Sequence, residues 1–559
     1  MAPEATAYLH GNVYTVDERK PWVEAFIVSA SGRFEAIGTN DEILNLAKSR
    51  NLPTYDLENA FVMPGIHDAH THLLLASMQK LNEIDIGSDS TAATIAEKIK
   101  KGQSACVCAH AHVRGDWLIA NFYAGQNFPD GKIDRKYLDD AFPDRPLLVR
   151  DVSCHNVAMN SAGLKHAGYD LTEETDPDGG KYMRRPDGSL TGELVEAAAA
   201  QALTRLPQPP VSYVKEAILY GIRMSQRFGI TSVQEASANT IYLRALRELE
   251  QEGRLDMDVF PHIVDTPTMF AAESPESLRH LIRIANSFRS EHVHTRFVKF
   301  WMDGAPLPPH FTHCDLGPDG TPDENRLLIG FDALLGAVTQ HDAMGMTCKI
   351  HCAGEGSVRR ALDVLEIVRQ SNPTGPRHEL AHCNAVHQGE ANPARSKAST
   401  DVESFIADDI SRMAKLRITA EMSPAIFHET ELTSNFPHIF RWPFKELKDA
   451  GVHVTVGSDW FLPPTPDLFP ALSAIVERFG PERGKTAKEV GGEKVCRMIT
   501  LAGAEAVGKE KEMGSIEVGK KANFIAVDRD LSRGEFANAK VHKTWFEGKM
   551  VWEDGKTTV

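Results

Sequence analysis

Eight short β-rich runs recur along the middle of the chain, at 61–64, 230–233, 257–260, 296–301, 346–351, 378–382, 417–421 and 453–457. Helical patterns separate most of them, as in Ala361-Leu362-Asp363-Val364-Leu365-Glu366-Ile367-Val368. Strands that alternate with helices build parallel sheets, because two parallel neighbours need a long crossover that packs on the sheet face. Eight such units predict an α/β fold with a (β/α)₈ TIM barrel, an architecture of typically about 250 residues.

The chain has 559 residues, so the barrel leaves much of it to be placed. At the N-terminus, Ala7-Tyr8-Leu9-His10 and Val13-Tyr14-Thr15-Val16 flank Gly11-Asn12, and a Ser31-Gly32 turn separates two further β-rich runs. The C-terminus repeats this style, with Glu547-Gly548 turning between 541–546 and 549–552. Short β-rich runs joined by such dipeptides read as hairpins. Both ends therefore predict one small β-sandwich, contributed by residues 1–60 and 505–559, around a barrel spanning 61–504. From His72 to Gly229 the chain far exceeds an ordinary crossover, which predicts an inserted α/β subdomain at about 76–210. The polar stretch 388–404 reads as a surface insertion. The Pro/Gly-rich stretch 305–324 directly follows a barrel strand, where loops face the active site, and is a candidate lid.

Composition is that of a globular protein, 42% hydrophobic and 25% charged, with a formal net charge of −16. That charge repels nucleic-acid phosphate and anionic lipid, so neither is an expected partner. The first residues lack a basic start followed by an apolar run, and no stretch approaches the roughly 20 apolar residues of a membrane span. A cytoplasmic protein whose eight cysteines stay reduced is expected.

The sharpest motif is Pro64-Gly65-Ile66-His67-Asp68-Ala69-His70-Thr71-His72. Residues i and i+2 of a strand share a face, so His70 and His72 can aim two imidazoles at one point from the first barrel strand. Neutral imidazole is a common zinc ligand. An isolated His-x-His pair says little; the preceding Pro64-Gly65 and Asp68 narrow it. Lys299, His351, His382 and Asp459 then fall at or near the C-terminal ends of later predicted strands, the rim where barrel active sites assemble.

With these residues in place, the sequence resembles the amidohydrolase superfamily. The resemblance is greatest to the amidohydrolase-3 family, the branch that includes N-substituted formamide deformylases. Supporting stretches are His155-Asn156-Val157-Ala158-Met159-Asn160-Ser161, Gly188-Ser189-Leu190-Thr191-Gly192-Glu193, Gly457-Ser458-Asp459-Trp460 and Gly514-Ser515-Ile516-Glu517-Val518-Gly519-Lys520. Two positions depart from the family pattern: Gly354-Glu355 stands where Gly-Asp is frequent, and Ala381-His382 where Glu-His is frequent.

The resemblance implies a metal centre of Zn²⁺, one ion or two, with Mn²⁺ or Fe²⁺ as alternatives. It places His70, His72 and Asp459 on one metal, His351 and His382 on the other, and a CO₂-derived carbamate on Lys299 between them. Metal-activated water, its pKa lowered toward about 7, is then the nucleophile. Asp459 takes its proton and passes it to the leaving nitrogen. His155, Glu196 and Trp460 are candidate substrate-binding residues. A structural role for His155 and a solvated helix-start position for Glu196 stand beside that reading. Asp68 either orients an imidazole or caps a turn. Cys106-Val107-Cys108-Ala109-His110-Ala111-His112 is not read as a zinc site, because adjacent ligands on one extended strand cannot wrap a tetrahedral ion. His310 and His313 carry no assignment.

The expected activity is hydrolysis of a non-peptide C–N bond in a small amide, an N-substituted formamide or other N-acyl compound. Deamination or opening of a cyclic amide on the same site is the alternative. A non-catalytic barrel serving as a binding or regulatory module is the alternative of another class. The expected partner is a small-molecule substrate, and a homodimer is compatible with the resemblance.

Overall fold

The computed structural model describes residues 4–105, 113–389, 408–424 and 430–556. The run from Cys106 to His112, and all but the first two residues of 388–404, lie outside them. Eight strands form one parallel sheet: β1 (Ile66–Thr71), β2 (Ile230–Ala238), β3 (Asp258–Thr266), β4 (Phe297–Trp301), β5 (Thr347–Cys352), β6 (Glu379–His382), β7 (Thr419–Met422) and β8 (His453–Val456). Each pairs with its sequence neighbour, as in Trp301 opposite His351 and Cys352 opposite His382. The seam between β8 and β1 closes through the segment after β8. The Asp459 N–H donates to the His70 carbonyl at 2.8 Å, and the His72 N–H to the Trp460 carbonyl at 3.2 Å. The molecule is thus the TIM barrel that the alternation of elements predicts.

The expected first barrel strand was misplaced by one element. Phe61–Pro64 belongs to a six-stranded sheet, parallel to Asn12–Tyr14 and antiparallel to Phe524–Val527. All four of its residues are buried, so their pattern carries no periodicity that could tell one sheet from another. Gly65 makes the switch between sheets. A Cβ there would lie 2.3 Å from Thr231 Oγ1, so the chain passes tightly against β2 before entering β1.

That six-stranded sheet faces a four-stranded one built from Phe34–Gly38, Ala25–Val28, Thr6–Leu9 and Thr54–Asp56. Between them packs an aromatic core in which Phe524 stacks on Trp545 at 4.5 Å and Tyr8 on Phe26 at 5.0 Å. The turns at Ser31-Gly32 and Glu547-Gly548 join antiparallel neighbours as expected. Gly11-Asn12 does not: Thr6–Leu9 and Asn12–Tyr14 lie in different sheets, so this turn carries the chain from one layer to the other.

The small domain is fastened to the barrel by charge. His292, just ahead of β4, sits 3.0 Å from Glu250 and 3.3 Å from Glu547. Burial acts to lower its pKa, and the hydrogen bonds to the two carboxylates outweigh burial and carry it up to about 10. The cation is therefore stabilised by folding. Its contribution is fully present below the unfolded value of about 6.5 and is lost as pH rises toward 10. His292→Gln should lower Tm at pH 7, with the gap to the parent narrowing as thermal melts are repeated up to pH 10. A gap that widens over that range would contradict the linkage.

Between β1 and β2 lies the predicted insertion, a mixed six-stranded sheet whose strands run from Ile84–Asp85 to Leu190–Glu196. The barrel interior beneath the C-terminal rim is polar. Lys349, on β5, donates to Gln234 Oε1 at 2.6 Å and to the Ala69 carbonyl at 2.5 Å, and faces Glu379 at 3.3 Å. Among the described residues, no helix is long and apolar enough to cross a membrane.

Candidate metal centre

The six side chains singled out as metal ligands converge on the C-terminal rim of the barrel. His70 is the penultimate residue of β1 and His72 follows its end. Lys299 lies mid-β4, His351 is near the end of β5, His382 closes β6, and Asp459 follows β8. One donor atom each from His70, His72 and Asp459 lies within 4.8 Å of the others. Asp459 Oδ1 is 3.6 Å from His72 Nε2 and 4.0 Å from His70 Nε2, and Lys299 Nζ is 3.4 Å from His70 Nε2. The His382 ring lies 4.6 Å from both the His70 and the His351 rings, centroid to centroid, which joins the two halves of the set.

What aims these rings is the engagement of their far nitrogens. His70 Nδ1 lies 2.6 Å from Glu421, His72 Nδ1 2.9 Å from Ser237 Oγ, and His351 Nδ1 3.0 Å from Asp303. A ring whose Nδ1 is held in this way presents Nε2 to the centre. Asp303 is fully buried and saturated: besides His351 it accepts from the backbone N–H groups of Ala353, Gly354 and Cys314. Burial acts to raise its pKa, and the His351 hydrogen bond leads the opposing interactions that lower it overall. Glu421 also groups with His70 and His382 as a trio with donor atoms in close range. It engages the Nδ1 edge of His70, however, so it orients that ring.

Sequence reasoning missed Asp303, Glu421 and Ser237 in these roles. Asp303 stands in the run Phe297-Val298-Lys299-Phe300-Trp301-Met302-Asp303 and Glu421 ends the expected seventh strand. A carboxylate at a strand end next to a histidine-bearing strand was the available signal. Asp303 also occupies the space around the departure at Gly354-Glu355. It binds the Gly354 N–H, while Glu355 turns to Arg441 at 3.0 Å.

The electrostatics favour neutral donors. Burial, reinforced by Lys299, lowers His70 well below its ordinary pKa and takes His72 to about 3. Burial likewise drives His382 far down and lowers His351 against the pull of Asp303. Burial followed by Lys349 lowers Lys299 to about 7. Burial raises Asp459 to about 6, with Lys299 opposing. Imidazoles kept unprotonated, an amine poised near neutrality and a carboxylate form a donor set with the chemistry of a divalent-cation site.

Backbone strain gathers at the same rim. His382 has φ +73° and Asp459 φ +49°, in the left-handed region that side-chain-bearing residues avoid. Asp68 helps hold the Asp459 segment. Its carboxylate accepts from the Ser458 N–H at 2.8 Å, the Ser458 hydroxyl at 2.6 Å and the His70 N–H at 3.2 Å. It therefore clasps β1 to the segment after β8 and, among the described residues, accepts from no imidazole.

Of the candidate substrate-binding residues, His155 lines a cavity of about 580 Å³ that also exposes His72, His351, His382 and Asp459. The inserted subdomain supplies it, and its ring lies 5.5 Å from that of His351. Glu196 is buried and does not border the cavity. Both its oxygens hold His155 Nδ1, at 3.0 and 3.1 Å, and it accepts from Thr312 and the Ala305 N–H. The solvated helix-start position is thereby overturned: a paired, desolvated carboxylate stands at φ +47°. Trp460 is fully buried outside the cavity lining, and its backbone bridges Thr71 at the barrel seam. The candidate lid stands as a wall, with Ala305–Pro308 lining the cavity and His310 braced on Glu193 at 3.0 Å. His313 pairs with Asp315 at 3.0 Å.

A closed parallel barrel whose C-terminal rim gathers four imidazoles, a depressed lysine and an aspartate defines a hydrolase of the metal-dependent type. Comparisons with known proteins agree. An N-substituted formamide deformylase from Arthrobacter pascens is 25% identical over 98% of this chain and 98% of its own length. A putative amidohydrolase from Bacillus subtilis is 24% identical over 98% of this chain and 99% of its own. An uncharacterized metal-dependent hydrolase from Pyrococcus furiosus superposes with a TM-score of 0.67 at 20% identity, covering 94% of this chain and all of that one. Residues 53–552 match the family model described as "Amidohydrolase family", and the chain belongs to that family. It is an enzyme that hydrolyses carbon–nitrogen bonds.

Proposed function

We propose that the enzyme cleaves the C–N bond of a small amide, an N-substituted formamide or other N-acyl compound, using one or two zinc ions. His70, His72 and Asp459 would hold one ion and His351 and His382 the other, with Lys299 as a carbamate joining them. The observation that carries this reading is the convergence of His70 Nε2, His72 Nε2 and Asp459 Oδ1 at the edge of a cavity whose wall includes His72, Asp459 and several aromatic side chains. The cavity size suits a small organic substrate. The full-length similarity to a formamide deformylase supports the substrate class.

A bound divalent cation supplies Lewis acidity and an acidified water in such a site. The chain's own residues do the rest. Asp459, whose carboxylate faces His70 and His72, accepts the proton of the attacking water and delivers it to the departing nitrogen. His155, its Nδ1 fixed by Glu196, presents Nε2 to the acyl oxygen and donates a hydrogen bond as charge develops there. The amine of Lys299, desolvated and pushed to about 7, is neutral often enough to combine with CO₂. Phe270, 5.0 Å from the His155 ring, and Trp301 keep water from the acyl side. A cytoplasmic setting and a homodimer belong to the same reading.

Purified enzyme assayed against N-benzylformamide, N-benzylacetamide, a cyclic imide and an aminopurine tests the substrate class. Turnover of the formamide, abolished by chelator and restored by Zn²⁺, is the expected result. Turnover confined to the imide or the aminopurine would replace it with the cyclic-amide or deaminase alternative.

A further inference from the structure

We propose that the cavity contains an anion subsite, in which Arg114 and Arg150 receive a carboxylate carried by the amine portion of the substrate. This deepens the amide-hydrolase reading and rests on it. Both arginines border the cavity that exposes the metal-ligand set. Both come from the inserted subdomain, and neither takes part in the chemistry described above.

The guanidinium donors there are not all matched. Arg150 Nη1 donates to Glu83 at 2.6 Å and to Asn121 Oδ1 at 2.7 Å, and among the described residues its other guanidinium nitrogens have no partner. Arg114, only 8% exposed, donates from Nη1 to the Pro207 carbonyl at 2.8 Å, while its Nε is buried with no partner among the described residues. Among the described residues, Glu83 is the carboxylate set against both guanidiniums. Lys80 and Asp85, one of each sign, border the cavity only at exposed positions and offset each other. Burial pushes Arg114 down to about 10, with Glu83 opposing and Arg150 reinforcing, so the group stays cationic at neutral pH in a place that penalises it. A buried cation with an unmatched donor is costly unless a ligand completes it, and a guanidinium pairs best with a planar carboxylate.

The spacing narrows the ligand further. The Arg150 guanidinium lies 5.7 Å from the centre of the Phe461 ring, which in turn lies 6.4 Å from the His72 ring. One aromatic ring therefore separates the cation from the reacting centre, and Phe122 lies 6.5 Å from Phe461 along the same wall. An α-amino acid keeps its carboxylate two bonds from the scissile nitrogen, too close to span that ring. The geometry suits an N-acyl amine whose carboxylate stands at the far end of an aromatic or extended aliphatic spacer.

The test is a matched pair of substrates, para-(formamidomethyl)benzoate and N-benzylformamide, with para-(formamidomethyl)benzamide as the neutral compound of equal size. Wild-type enzyme should favour the acid over both neutral compounds by at least roughly tenfold in kcat/KM, expressed in KM. Arg114→Gln should bring the ratio toward one, and Arg114→Lys should retain part of it. Equal or poorer turnover of the acid by the wild type would overturn the subsite while leaving the amide-hydrolase reading intact, and needs no variant to fold. If no formamide is turned over, the function reading fails. Calorimetric binding of para-(acetamidomethyl)benzoate and N-benzylacetamide to the wild type then decides the subsite. Tighter binding of the acid supports it, and equal affinity overturns it.

Discussion

Asp459→Asn should lower kcat by about 10³-fold with little change in KM, the range expected when a positioned acid–base group is removed. The substitution preserves side-chain volume and the oxygen facing His70 and His72. What it removes is the capacity to accept a proton. The carboxylate of Asp459 is buried and faces the paired imidazoles, where it is placed to take and release the proton of a bound water. An amide can do neither. The backbone hydrogen bond from residue 459 to the His70 carbonyl does not involve the side chain, so the barrel seam should survive and Tm should move little. Steady-state kinetics on a formamide, with metal content measured in parallel, check this. A kcat within tenfold of the parent, at full metal occupancy, would remove Asp459 from the proton path.

Asp303→Asn should weaken metal retention by roughly 10–100-fold, although the residue is not itself one of the proposed ligands. Its carboxylate receives His351 and three backbone N–H groups, from Ala353, Gly354 and Cys314. An asparagine has one acceptor oxygen for that set and turns an N–H₂ toward donors. The His351 ring then loses the anion that fixes its tautomer and raises its basicity, and the turn after β5 loses its anchor. The same change removes a stabilising charge: the carboxyl is held below its ordinary value, so its contribution exists above about pH 3.9 and fades as pH falls below it. Competition against a chromogenic chelator reads the affinity, and thermal melts at pH 7 and pH 4 read the stability. Unchanged zinc affinity would reduce Asp303 to a loop anchor.

The barrel was legible because its strands alternate with helices and its candidate ligands sit on or just past those strands. His70 and His72 announced themselves through local spacing. His351, His382 and Asp459 did so only by falling at or just past a strand end, and Lys299 by lying on a barrel strand among them, a pattern that requires the fold to be read first. The misplacement of the first strand has a physical cause. Phe61–Pro64 and Ile66–Thr71 are both buried throughout, and only the tight passage at Gly65 divides them, a tertiary fact with no local signature. The supports of the histidines were equally hidden. Asp303, Ser237 and Glu421 reach rings on other strands, and long-range pairing of that kind does not appear in any window of sequence. Glu196 read as solvated because a glutamate before an alanine run resembles a helix start. Its pairing with His155 depends on the insertion sheet bringing Leu190–Glu196 beside Val157–Met159.

Crystals of enzyme purified without chelator, with anomalous differences collected across the zinc absorption edge, test the central claim most directly. The account predicts an edge-dependent peak about 2.0–2.1 Å from the Nε2 atoms of His70 and His72, within reach of Asp459. Active enzyme whose map is empty at that rim, or whose only peak lies away from these three side chains, would contradict it.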